Sequence, residues 1–116
     1  MSVEKNALVL CDIKPGNKRV KSIGSFVKKF VTEKNSALLI VYAGNEEVVK
    51  YVTEEFKGFE VPLSIIDQYE WGESPSFVLI VTDDEKSPLE SVARHHFYDK
   101  TYAILTMVIP NVDTSK

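Results

Sequence analysis

The strongest constraint on the fold is a pair of apolar runs with little alternation, Ala7–Ile13 (ALVLCDI) and Ala37–Ala43 (ALLIVYA). A strand with one wet face alternates apolar and polar side chains. A run without alternation reads as a strand covered on both faces. Between the two runs lies Lys18–Lys34, where Val20, Ile23, Val27, Phe30 and Val31 form one helical stripe. Strand, helix and strand in that order form a parallel crossover, which is right-handed in nearly all proteins. Lys14-Pro15-Gly16-Asn17 is the turn into the helix, and Asn35 suits its end.

The same reading continues along the chain. Asn45 is a helix N-cap, with Glu46 and Glu47 favourable at the positive end of the dipole. Val48, Val49, Val52 and Phe56 make the apolar face of that helix, and Gly58 stops it. Val61–Asp67 reads as a third strand, with Pro62 suited to an edge or a strand start. Gln68–Ser76 is a polar and aromatic connection containing Trp71. Phe77–Val81 is a fourth strand, expected antiparallel to the third because the connection is too short for a helical crossover. Ser87-Pro88-Leu89-Glu90 is a capping box with proline at the first helical position, and its helix runs to about Phe97. Tyr102–Ile109 closes the fold.

The order is therefore β-α-β-α-β-β-α-β. It points to an α/β protein, with α+β as the alternative. The expected architecture is a mixed five-stranded sheet with helices on one or both faces. At 116 residues the chain should be one domain spanning 1–116, with 111–116 a frayed, disordered tail. No apolar run approaches the ~18 residues of a membrane helix, so no membrane contact is expected. The N-terminal residues lack the plan of a signal peptide. One cysteine, Cys11, allows no internal disulfide and no cysteine-based zinc cluster, and a cytoplasmic location follows as the simplest expectation.

Charge is segregated. Lys14, Lys18, Arg19, Lys21, Lys28, Lys29 and Lys34 are seven of the 14 Lys+Arg, opposed locally only by Glu33. From Glu46 to Glu90 there are 12 acids against Lys50, Lys57 and Lys86. The net charge of −3 hides this polarity. A local basic surface attracts phosphate whatever the total. Lys14, Lys18, Arg19 and Lys21 coincide with a strand-to-helix turn, where helix N–H groups favour anions. They are the candidate ligand-binding residues. The turn has neither the P-loop nor the G-x-G-x-x-G pattern, and Cys11 has no arginine at cysteine-phosphatase spacing.

A second constellation is acidic. Asp12 ends the first strand, and Asp83, Asp84 and Glu85 follow the fourth. If those strands are neighbours, Asp12, Asp83 and Asp84 could hold Mg²⁺ and serve as the catalytic set of a metal-dependent phosphoesterase or nuclease. The plainer reading is a solvated loop before a helix. His95 and His96 are adjacent on a helix and cannot chelate one metal together. His96 is expected in the core and His95 at the surface. Trp71 is expected to serve packing or self-association.

Two resemblances follow from these residues. Residues 6–82 resemble Alba-type nucleic-acid-binding proteins in element order, with Ile13-Lys14-Pro15 where that family carries a basic Lys-Pro loop. Ala43-Gly44 precedes the second helix, with Asn45 where the family has arginine. Residues 37–110 resemble the ferredoxin-like trimeric CutA and PII relatives through Tyr69-Glu70-Trp71-Gly72, the strand ending at Thr82, and His96-Phe97-Tyr98-Asp99. Both resemblances imply a small, oligomeric α/β binding protein.

The expectations for function are thus three. The leading one is a non-enzymatic module that binds nucleic acid or nucleotide phosphate through the basic loop, without a cofactor or bound metal. The alternatives are a structural or regulatory homo-oligomer and a Mg²⁺-dependent phosphoesterase.

Overall fold

The computed structural model describes residues 6–66, 75–84, 86–97, 101 and 103–109. Trp71 and the tail from Asn111 lie outside these residues. Strand β1 is Asn6–Asp12. A 3₁₀ turn, Val20–Ser22, leads into helix α1 at Ile23–Lys34. Then come β2 at Leu38–Ala43, α2 at Glu46–Glu55, β3 at Leu63–Ile66, β4 at Phe77–Thr82, α3 at Leu89–Phe97 and β5 at Ala103–Val108.

The five strands form one sheet in the order β3-β2-β1-β4-β5, and every pairing is parallel. This corrects the mixed sheet expected from sequence. Strand β4 does not pair with β3. It runs along the far side of β1, with Ala7 opposite Phe77 and Asp12 opposite Thr82. A short connection excludes a helix, but it does not force a hairpin unless the two strands are neighbours. The ten residues between Ile66 and Phe77 can reach roughly 33 Å, enough to return to the opposite end of a six-residue strand. The all-parallel order also differs from a ferredoxin-like sheet, so the CutA and PII resemblance does not extend to the fold.

Side chains of one strand point alternately to the two faces. Ala7, Val9 and Cys11 of β1 join Leu39, Val41, Leu79 and Val81 under α1 and α2. Leu8 and Leu10 join Val78 and Ile80 under Ala93 and Phe97 of α3. The uninterrupted apolar run in β1 is thereby explained: both of its faces are roofed. Winding proceeds outward from β1 through β2 to β3 on one side. It then restarts through β4 to β5 on the other, and right-handed crossovers put α3 on the opposite face.

Local signals account for the helix ends. Asn45 caps α2 by accepting from the Glu47 amide at 2.9 Å. Asn35 ends α1 in the left-handed region at φ 55°. Gly24 lets α1 and α2 pack closely, since a Cβ there would lie 2.7 Å from the Tyr51 carbonyl oxygen. The capping box closes differently from expectation. Ser87 Oγ accepts from the Leu89 amide at 3.4 Å, but Glu90 turns to Arg94 and Thr106 instead of back to the cap. His96 is exposed, as is His95, so the core position expected for it is corrected. The rings meet edge to face at 5.3 Å. The apolar side of α3 is narrow because Ala93 and Phe97 alone are buried there.

Candidate functional site

In an open parallel sheet, the crevice forms outside the carboxyl ends of the strands where the winding direction reverses. Here that point lies between β1 and β4. A cavity of about 290 Å³ opens beside it, lined by Cys11, Asp12, Ile13, Pro15, Tyr42, Gly44, Asn45, Pro88 and Leu89. Three chain reversals build it: the loop after β1, the start of α2 and the start of α3.

Each reversal is pinned to its neighbours. The Asn45 amide donates to the Ile13 carbonyl at 3.0 Å, tying the start of α2 to the β1 loop. The Asp83 amide donates to the Asp12 carbonyl at 3.2 Å. The Asp83 carboxylate accepts from the Lys14 amide at 2.8 Å, and Glu47 accepts from the Gly16 amide at 3.4 Å. Ser87 Oγ donates to Asp12 Oδ2 at 3.0 Å, tying the start of α3 to the end of β1. The buried Asn17 side chain donates to the Ile109 carbonyl at 3.2 Å and accepts from the Arg19 amide at 2.8 Å. The loop after β1 is thus held from three sides by hydrogen bonds to groups that are themselves anchored.

Lys14, Lys18, Arg19 and Lys21 are all exposed, but they do not gather around one cavity. Lys14 neighbours Pro15 at the crevice. Arg19 lines a second cavity on the opposite flank, between α1 and β5. The helix begins at Ile23, later than the sequence suggested. The 3₁₀ turn therefore carries Lys21, and the N-terminus of α1 lies beyond the basic turn. Two amides of the turn, those of Lys14 and Gly16, bond the protein's own carboxylates. Further along, Lys28 lies 4.0 Å from Glu55 and over the Phe59 ring, and Lys29 lies 4.0 Å from Glu33. These lysines serve the solvated face of α1.

Asp12 and Asp83 do meet, because β1 and β4 are neighbours and Asp83 follows the last paired residue of β4. Asp84 turns away, with Oδ1 accepting from the Lys86 amide at 2.9 Å. Among the described residues no group of three metal-ligating side chains comes together. Cys11 touches the crevice, but burial pushes its thiol up to about 12. It is a neutral, unreactive wall.

Sequence reasoning missed Tyr42, Gly44 and Asn45 as crevice residues, although the rule locating ligands at strand carboxyl ends covers them once β2 is placed. Tyr42 is half-buried and offers part of its ring. Gly44 has open space where a Cβ would stand. Comparison with family models, with curated proteins and with solved structures found no match to this chain. Among the described residues no helix is long and apolar enough to cross a membrane.

Proposed function

We propose that the protein is a non-enzymatic binding module for a small phosphate-bearing ligand of about nucleoside-monophosphate size, held in the crevice between the ends of β1 and β2 and the start of α3. The observation that carries this reading is a cavity at the winding reversal with the exposed Lys14 next to its Pro15 wall. The volume of about 290 Å³ lies at the small end of ligand sites. The Tyr42 ring can stack a base, and Asp12 and Asn45 can accept from sugar hydroxyls or ring N–H groups. Lys14 lies nearest to meet the phosphate, with Lys18, Arg19 and Lys21 adding a longer-range field. Acids also hold this edge: Asp12 lines the cavity, and Asp83 and Glu47 bond amides of the loop after β1. They disfavour an extended polyanion, so a free nucleotide fits better than a nucleic-acid strand. The cytoplasm, which keeps a lone thiol such as Cys11 reduced, is the compartment this reading implies.

Titration of the full chain with AMP, followed by amide NMR shifts, tests the proposal. Saturable shifts are expected at Asp12, Gly44 and Asn45. Gly44→Val should abolish them without loss of fold, since the new side chain has open space to enter. Lys14→Glu should weaken affinity about tenfold, equivalent to roughly 1.4 kcal/mol. Absence of shifts at millimolar AMP, or binding indifferent to Gly44→Val, would overturn the reading.

The backbone contact that sets Asp12 beside Asp83 motivates a second reading, a metal-dependent phosphoesterase in which both carboxylates hold Mg²⁺ after leaving their present partners, Ser87 and the Lys14 amide. Asp84, turned toward Lys86, leaves that donor set short. Calorimetric Mg²⁺ or Mn²⁺ binding that Asp12→Asn removes would raise this reading above the first. Heat flow identical in the two proteins would dispose of it.

A further inference from the structure

Among the described residues strand β5 is the outer strand of the sheet, paired only with β4. Its sequence, Ala103–Val108, carries no charge and no proline. Monomeric proteins blunt such edges with lysine, proline, bulges or short length. The opposite edge does so: β3 has four residues and follows Pro62. Strand β5 has six and none of these devices. The exposed large apolar side chains among the described residues are Phe26, Leu105 and Val108, and all three flank this strand or lie on it. Phe26 and Val108 also line the groove of about 430 Å³ between α1 and β5.

The backbone defines what can pair here. The Ile109 amide donates to Thr82 of β4 at 2.7 Å. Because a strand's amides alternate sides, those of Ile104, Thr106 and Val108 face outward. A strand laid antiparallel about a two-fold axis at Thr106 would pair Ile104 with the second copy's Val108, and Thr106 with Thr106. On the α1 face Leu105 would meet the second copy's Met107. Every strand partner is apolar or a hydroxyl, and the one carboxylate bound there, Glu90 on the Thr106 hydroxyl, is already paired within its own copy with Arg94 at 3.0 Å. Few surfaces on a chain with 27% charged residues are self-compatible in this way. An isologous contact requires that self-compatibility.

From this geometry we infer that two copies of the chain join edge to edge through β5, forming a continuous ten-stranded sheet that buries Leu105, Val108 and Phe26. This inference is independent of the crevice, which opens at the carboxyl ends of β1 and β2 beside the start of α3.

Sedimentation equilibrium of the full chain at tens to hundreds of micromolar is the test. The expected mass is twice the 13.1 kDa of one chain. Leu105→Lys places a charge in the contact at an exposed position and should return the mass to 13.1 kDa with unchanged circular dichroism. Thr106→Cys supplies a thiol on the axis, while the native Cys11 is buried. A short bis-maleimide should therefore yield a covalent dimer from the Thr106→Cys protein and none from wild type. A monomeric wild type, or a dimer that survives Leu105→Lys, would overturn the inference.

Discussion

The two faces of the sheet are built unequally. Under α1 and α2, 18 described residues are buried in one cluster, drawn from three strands, two helices and the turns beside them. Under α3 the corresponding cluster holds six. The heavy face has two helices locked together at Gly24, and its strand residues are almost completely shielded. The light face has a single nine-residue helix, and Ile40 and Tyr42 of β2 are only partly covered there. The candidate crevice draws Tyr42 and Leu89 from the light face. The difference teaches where each property resides. Stability is concentrated on the face that is closed, and ligand access is available on the face that is not.

The largest expected effect tests whether the light face depends on one side chain. Phe97 is the largest fully buried residue among the described residues. Phe97→Ala should cost about 3–5 kcal/mol, read from urea unfolding. Hydrogen exchange should show α3 losing protection before β1 and β2 do. Uniform loss of protection would erase the distinction between the faces.

An intermediate effect probes the heavy face. A methyl added at Gly24 meets the Tyr51 carbonyl oxygen at 2.7 Å and Glu55 Cβ at 2.9 Å. Backbone cannot swing aside as a flexible side chain can, so α2 must move. Gly24→Ala should destabilise by about 1–3 kcal/mol, although alanine is the better helix former. An unchanged or raised melting temperature would show that the two helices pack less tightly than this distance implies.

The smallest expected effect concerns the rim of the light face. The Thr106 hydroxyl, and secondarily Arg94, hold the Glu90 carboxyl below its ordinary value. A depressed folded-state pKa contributes stability above the unfolded value, and this is lost as pH falls through the folded one. Glu90 is partly exposed, so solvent screening keeps the contribution small. Thr106→Val should move the Glu90 carboxyl resonance midpoint upward in an NMR titration, with little change in stability near neutral pH. A midpoint that stays in place would show that Thr106 is not the dominant partner.

Much of this architecture is legible in one dimension. The stripe Val20, Ile23, Val27, Phe30 and Val31 is buried as its period requires. Asn45 caps α2 through its side chain, and Asn35 ends α1 by adopting the left-handed backbone conformation; both act locally. The unalternated runs in β1 and β2 report two-sided burial. The candidate site was legible in part. Asp12, Lys14 and Asp83 belong to the carboxyl edge, whereas Arg19 belongs to another cavity. The part of the loop carrying Arg19 is tied far along the chain, where Asn17 bonds Ile109, a residue that lines the same cavity as Arg19.

The sequence by itself determined element type, the end of α1, the start of α2 and the main buried stripes, because side-chain periodicity and capping act over a few residues. Only the tertiary structure decided that β4 lies beside β1 and not beside β3. That choice rests on contacts between residues some 70 positions apart, such as Ala7 with Phe77, and no local pattern encodes them. From that one pairing follow the parallel sheet, the meeting of Asp12 with Asp83, the crevice over β1 and the exposed edge at β5.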